Sequence, residues 1–253
     1  MTAGGRAGGQ AGRRAGGQFA QLTLSVLILL PFAAGSRAEL SARPPARLSA
    51  RRLPALMTIG RLHYDGGGDW YANPSSLPNL LQAIHTRTNL RVASQEKVVT
   101  LGDEDLWNIP YLHMTGHGNV HFSDRDLAVL REWLRQGGFL HASDNYGMDA
   151  SIRRELARLF PDHPLVEVPL EHPIYHLVYD FPKGLPKIHE HDGKPAQGFG
   201  IFLDGRLVVF YDYQCDLGDG WEDPDVHHDP PAKHEAALRM GVNLFAYAVG
   251  YGG

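Results

Sequence analysis

The sequence predicts an α/β protein built on a mostly parallel, doubly wound sheet, with a C-terminal hairpin and helix. Two observations carry that expectation. Short apolar runs alternate with longer segments whose leucines recur at i, i+3, i+4 and i+7, the period of an amphipathic helix. Glycine-containing loops follow the apolar runs directly, as where a strand passes into a helix.

The elements follow in order. Leu56, Met57, Ile59 and Leu62 mark a strand that ends before Gly66-Gly67-Gly68. Leu77, Leu80, Leu81 and Ile84 trace a helical stripe for which Ser75 or Ser76 is the expected cap. Residues 111–115 read as a buried strand, broken by Gly116-His117-Gly118. Ser123 caps the next helix, Asp124 and Asp126 complement its dipole, and Gly137-Gly138 stops it. A strand at 139–143 leads into Asp144-Asn145-Tyr146-Gly147, and Ile152, Leu156, Leu159 and Phe160 supply another helical face. Residues 199–203 and 207–211 flank Asp204-Gly205 as a hairpin, and a last helix covers roughly 232–249. Ligands of such sheets bind at the carboxyl ends of the strands, so the loops 65–70, 116–121 and 144–149 should converge on one crevice.

Charge divides the chain. Residues 1–56 carry eight arginines and one acid, Glu39. Of 24 basic and 28 acidic residues in all, that leaves 16 against 27 in residues 57–253, a net −11. So acidic a body argues against nucleic acid as a partner. The apolar run 22–34 is shorter than the twenty or so residues of a spanning helix and precedes the small-x-small site Ser36-Arg37-Ala38. Residues 1–38 therefore read as a signal peptide rather than an uncleaved anchor, 39–56 as an Arg/Pro/Ala-rich linker, and 57–253 as one α/β domain exported to the periplasm or cell envelope.

All fourteen histidines lie in that body. In the extended stretch His189-Glu190-His191-Asp192, residues two apart point the same way, so His189 and His191 are candidate ligands of a divalent transition metal, with Asp192 as a third ligand or orienting group. The acidic loop 216–223 lacks the spacing of an EF-hand. Asp144 and His117, each just after a strand, are the candidate catalytic pair. His113 and His141 lie inside strands and are expected to be buried. Trp70, Tyr146 and Trp221, in loops rich in glycine and acids, are candidates for stacking on a substrate ring, and Arg153 for holding an anionic group. No nucleophile elbow surrounds Cys215.

The strings GDWYANPSSLPNLL (68–81), YLHMTGHGNVHFS (111–123), GGFLHASDNYGMD (137–149), HPIYH (172–176), KIHEHDGKPAQGFGIF (187–202) and DLGDGWEDPDVHHDP (216–230) resemble a bacterial family, domain of unknown function 4159. The resemblance implies the class I glutamine amidotransferase-like group of flavodoxin-type folds, and work at the envelope beside membrane-associated proteins. It implies no reaction. Measured against amidotransferases, Ser143-Asp144-Asn145 stands where their elbow cysteine would be, which rules against amide transfer from glutamine. Two readings remain. One is a hydrolase-like enzyme in which a metal or Asp144 activates water for a small-molecule or envelope substrate, and nearby histidines carry the proton. The other is a non-catalytic ligand-binding or scaffolding domain of an envelope complex.

Overall fold

A computed structural model describes residues 56–250. The expected signal peptide and nearly all of the expected linker lie outside the described residues. The elements are β1 (Ile59–Leu62), α1 (Ser76–Arg87), β2 (Lys97–Val99), β3 (Tyr111–Gly116), α2 (Asp124–Arg135), β4 (Phe139–Asp144), α3 (Asp149–Leu159), β5 (Val166–Glu167), β6 (Gln197–Leu203), β7 (Arg206–Tyr213), the one-turn α4 (Leu217–Gly220) and α5 (Pro224–His227), and α6 (Pro231–Ala248). They form one sheet in the order β2-β1-β3-β4-β7-β6-β5. The first five of these strands run parallel, β6 is antiparallel to β7, and β5 is antiparallel to β6. This is the flavodoxin-like order with an antiparallel flap added at one edge.

β3 and β4 are buried on both faces, which is why they read as apolar runs without alternation. α1 and α6 share one hydrophobic cluster, centred on Leu80, Ile84, Phe245 and Trp221. α2 and α3 share the other, around Leu130, Trp133, Ile152 and Leu156. Ser123 caps α2, as the sequence predicts, and Asp126 returns the bond to the Ser123 backbone, completing a reciprocal capping box. The start of α1 departs from expectation. The Ser75 hydroxyl makes no cap bond; it pairs with Glu222 Oε1 at 3.2 Å and accepts from Asp223 N–H at 3.0 Å, so it ties α1 to the loop after β7. No helix among the described residues is long and apolar enough to cross a membrane.

Candidate functional site

The strand order reverses between β1 and β3, and the loops leaving those two strands are laced together above that point. His121 N–H donates to Asp65 O at 2.7 Å, and Gly68 N–H donates to Asn119 O at 3.1 Å. Gly66 permits this approach: its φ is +112°, and a Cβ there would lie 2.8 Å from both Asn119 O and His121 N. Asp69 accepts twice from His117. Its Oδ1 takes the backbone N–H at 2.6 Å, and its Oδ2 lies 2.8 Å from ring Nδ1. Burial pushes the Asp69 carboxyl up, but the two bonds from His117 outweigh it and hold the group below its ordinary value. An ionised carboxylate only accepts, so neutral His117 carries its proton on Nδ1 and leaves Nε2 a bare lone pair. The His117 side chain is 58% exposed. Trp70, on the same loop as Asp69, stacks on His63 at 4.2 Å.

The loop after β4 is fastened differently. Asp144 is buried; Oδ1 accepts from Met148 N–H at 3.0 Å, and Oδ2 lies 3.0 Å from the Tyr211 hydroxyl. That hydroxyl is also 2.9 Å from Asp149 Oδ1. One phenolic proton serves one carboxylate, so the second contact calls for a protonated carboxyl. Burial pushes the Asp144 carboxyl up from its ordinary value. Asp144 thus anchors the start of α3. Tyr146 has φ +67°, rare for a bulky residue; its ring stacks on His191 at 4.4 Å, and its hydroxyl donates to Asp192 Oδ1 at 2.8 Å. Gly147, at φ +128°, presses on the loop after β3, where a Cβ would come 2.5 Å from His117 O. Arg153 Nε donates to Asp149 at 2.6 Å, and its guanidinium lies 4.5 Å from the Phe199 ring, so both its charge and its plane are engaged.

Among the described residues, one group of side chains brings together atoms of the kind that could hold a metal ion. His189, Asp219 and His227 each offer a donor atom, all within 4.8 Å of one another. His189 Nδ1 is 3.2 Å from Asp219 Oδ2, and His227 Nε2 is 4.0 Å from the same oxygen. Supporting groups are in place for two of the three. His189 Nε2 lies 3.2 Å from Asp229 Oδ2 and Asn73 Nδ2 donates to Asp219 Oδ1 at 2.6 Å, whereas Glu222 Oε2 lies 3.0 Å from His227 Nε2, the nitrogen nearest Asp219, and competes for it. Hydrogen bonding to Asp219 raises the His189 imidazole above its ordinary value. Asp216 sits beneath, with Oδ2 bonded to His191 and 3.6 Å from His189 Nδ1. Its Oδ1 is buried without a hydrogen-bond partner among the described residues. Burial first, and the neighbouring Asp219 charge second, push Asp216 up to about 6.

Residues 58–249 match the family described as domain of unknown function (DUF4159). The chain belongs to that family. No curated protein matches it.

In this DUF4159 chain five of the sequence-selected residues fall into three groups, while Asp144, Trp70, Arg153 and Trp221 stand apart from them. His117 stands over the switch point with Asp69, a partner that the sequence reading does not select. Tyr146, His191 and Asp192 form a stacked and bonded cluster, with Asp192 also accepting from Gln214 Nε2 at 3.2 Å. His189 belongs with Asp219, His227 and Asp229, which come from the acidic loop and the DVHHDP string after β7. The signal for them was a run of carboxylates and histidines directly after a strand. Trp221 lies in the core: it is fully buried, donates its indole N–H to Ala237 O at 2.8 Å and packs against His113 and His141. Those two histidines are buried as expected. His141 lies 2.8 Å from Asp212 and 3.1 Å from His113, and burial pushes it down to about 3 while pushing Asp212 up. Cys215 donates to Pro186 O at 2.8 Å, and burial raises its thiol well above the reactive range.

Proposed function

We propose that this DUF4159 domain is a metal-assisted hydrolase of the cell envelope, with a divalent transition metal held by His189 Nδ1, Asp219 Oδ2 and His227 Nε2. One observation carries the reading: two imidazoles and a carboxylate converge within 4.8 Å at the carboxyl ends of the strands, and groups that orient two of the three, His189 and Asp219, are already bonded to them. Two histidines and one carboxylate are the donor set of catalytic zinc-type sites, with a position left open. Bound there, the ion supplies polarisation of a scissile carbonyl and a more acidic water. Asp216, with Oδ2 3.6 Å from His189 Nδ1, adds a further buried carboxylate beside this group. Asp229 and Asn73 hold the ligands in orientation, while Tyr146 caps His191 at the rim.

Export belongs to the same reading, supported by the apolar run 22–34 and the Ser36-Arg37-Ala38 site. The experiment is elemental analysis of the full chain, prepared without a histidine tag or chelator. About one divalent transition-metal ion per chain is expected, lost in a His189→Ala/His227→Ala double variant. A metal-free chain that gains no thermal stability from added zinc overturns the metal centre and leaves the scaffolding role with membrane-associated partners.

A further inference from the structure

We propose that Asp69 and His117 form a general-base dyad at the switch point of the sheet, with His117 the catalytic base and Asp69 its positioning residue. The proposal rests on the hydrolase reading for its reaction. Three observations carry it. The dyad sits where the strand order turns between β1 and β3, the place at which open α/β sheets bind ligands. Asp69 fixes both the backbone and the ring of His117, at 2.6 and 2.8 Å, and so sets one tautomer with Nε2 unprotonated. Asp144, at the end of β4, is buried, with one oxygen held by Met148 N–H and the other by Tyr211, whereas the His117 side chain is exposed to a ligand.

A relay of contacts leads from the dyad towards the residues proposed to hold the metal. Gly147 presses on His117 O, the next residue Tyr146 stacks on His191, and His191 shares Asp216 with His189. The substrate class is an ester or amide whose acyl carbon meets a water held by His117 Nε2. Nε2 takes a proton from a water as its oxygen bonds to the acyl carbon. The bond from that carbon to the leaving oxygen or nitrogen then breaks, and Nε2–H returns the proton to it, so His117 ends as it began.

Two measurements on the full chain test this. The first needs no substrate: long-range proton–nitrogen correlation spectra of histidine-labelled protein. Neutral His117 is expected to be protonated at Nδ1 in the wild type and at Nε2 in Asp69→Asn, whose amide donates where the carboxylate accepted. Nε2 protonation in the wild type overturns the proposal. The second is hydrolysis of p-nitrophenyl acetate by zinc-loaded protein. His117→Gln, at an exposed position, is expected to lower kcat at least 100-fold with zinc content unchanged. Asp69→Asn should lower kcat with little change in KM; if it fails to fold, His117→Gln decides. Hydrolysis that survives His117→Gln but disappears in the His189/His227 double variant overturns the dyad and leaves the metal reading standing. Loss in His117→Gln with full rate in the double variant supports the dyad and overturns the metal. No turnover by the zinc-loaded wild type counts against both.

Discussion

Tyr146 concentrates the conflict between folding and function in one residue. A left-handed backbone costs a residue with a Cβ about 1–2 kcal/mol, and glycine pays none of it. Here a tyrosine holds φ +67° beside a glycine that holds +128°, directly after β4. The ring stack on His191 and the bond to Asp192 are what keep the strained residue in place. Comparing two truncations separates backbone from side chain, because both remove the ring. Tyr146→Gly should be more stable than Tyr146→Ala by about 1 kcal/mol in urea unfolding, the reverse of the usual order. An alanine variant equal to or more stable than the glycine one would show that no strain is stored there.

Between elements, the site depends on contacts far apart in sequence, and that decides what could be read in advance. Local signals were legible: the α2 capping box lies within four residues, and the β6–β7 hairpin is announced by Asp204-Gly205, with φ +50° and +80°. β2 and β5 are too short to show a period, being three and two residues long, and α4 and α5 are single turns inside an acidic loop. Asp69 and His117 are 48 residues apart, and Asn73 and Asp219 are 146 apart, so only the sheet order brings them together. Asn73 joins these parts. It is buried at φ +59°, donates to Asp219 at 2.6 Å and exchanges bonds with Asn145, which itself accepts from Thr115 at 3.0 Å. Asn73→Ala takes a partner from buried Asn145 and from half-buried Asp219 and should cost about 1–3 kcal/mol. It should also weaken zinc binding about 10–100-fold by freeing Asp219. Calorimetric titration beside a thermal melt checks both; zinc affinity unchanged in a destabilised variant would detach Asn73 from the metal centre.

At the scale of the whole molecule, the chain from β5 to His189 must be held against α6 for the site to exist. Asn243 on α6 accepts from Val178 and Tyr179 N–H at 3.0 and 2.9 Å, and His172 packs 5.3 Å from Tyr247. Burial first, and the nearby His176 second, push His172 down to about 4. In the unfolded chain a histidine titrates near 6.5, so on acidification the unfolded state takes up the proton first. The stabilisation from keeping His172 neutral is therefore complete above about pH 6.5 and is lost as the pH falls towards 4, at about 1.4 kcal/mol per unit. The pH curve of the wild type alone would mix this with opposing groups. His141 has the same sign, whereas Asp212, pushed up by burial, destabilises as the pH rises above the unfolded carboxyl range. A difference measurement removes them. His172→Asn keeps an acceptor for Ile174 N–H, which His172 Nδ1 supplies at 3.2 Å, and cannot titrate. From pH 7 to about 4.5, the wild type should lose about 2–3 kcal/mol relative to this variant in urea melts. A gap that stays constant over that range would mean His172 is free to protonate in the folded protein, and that the segment leading to His189 opens to water more readily than its packing on α6 implies.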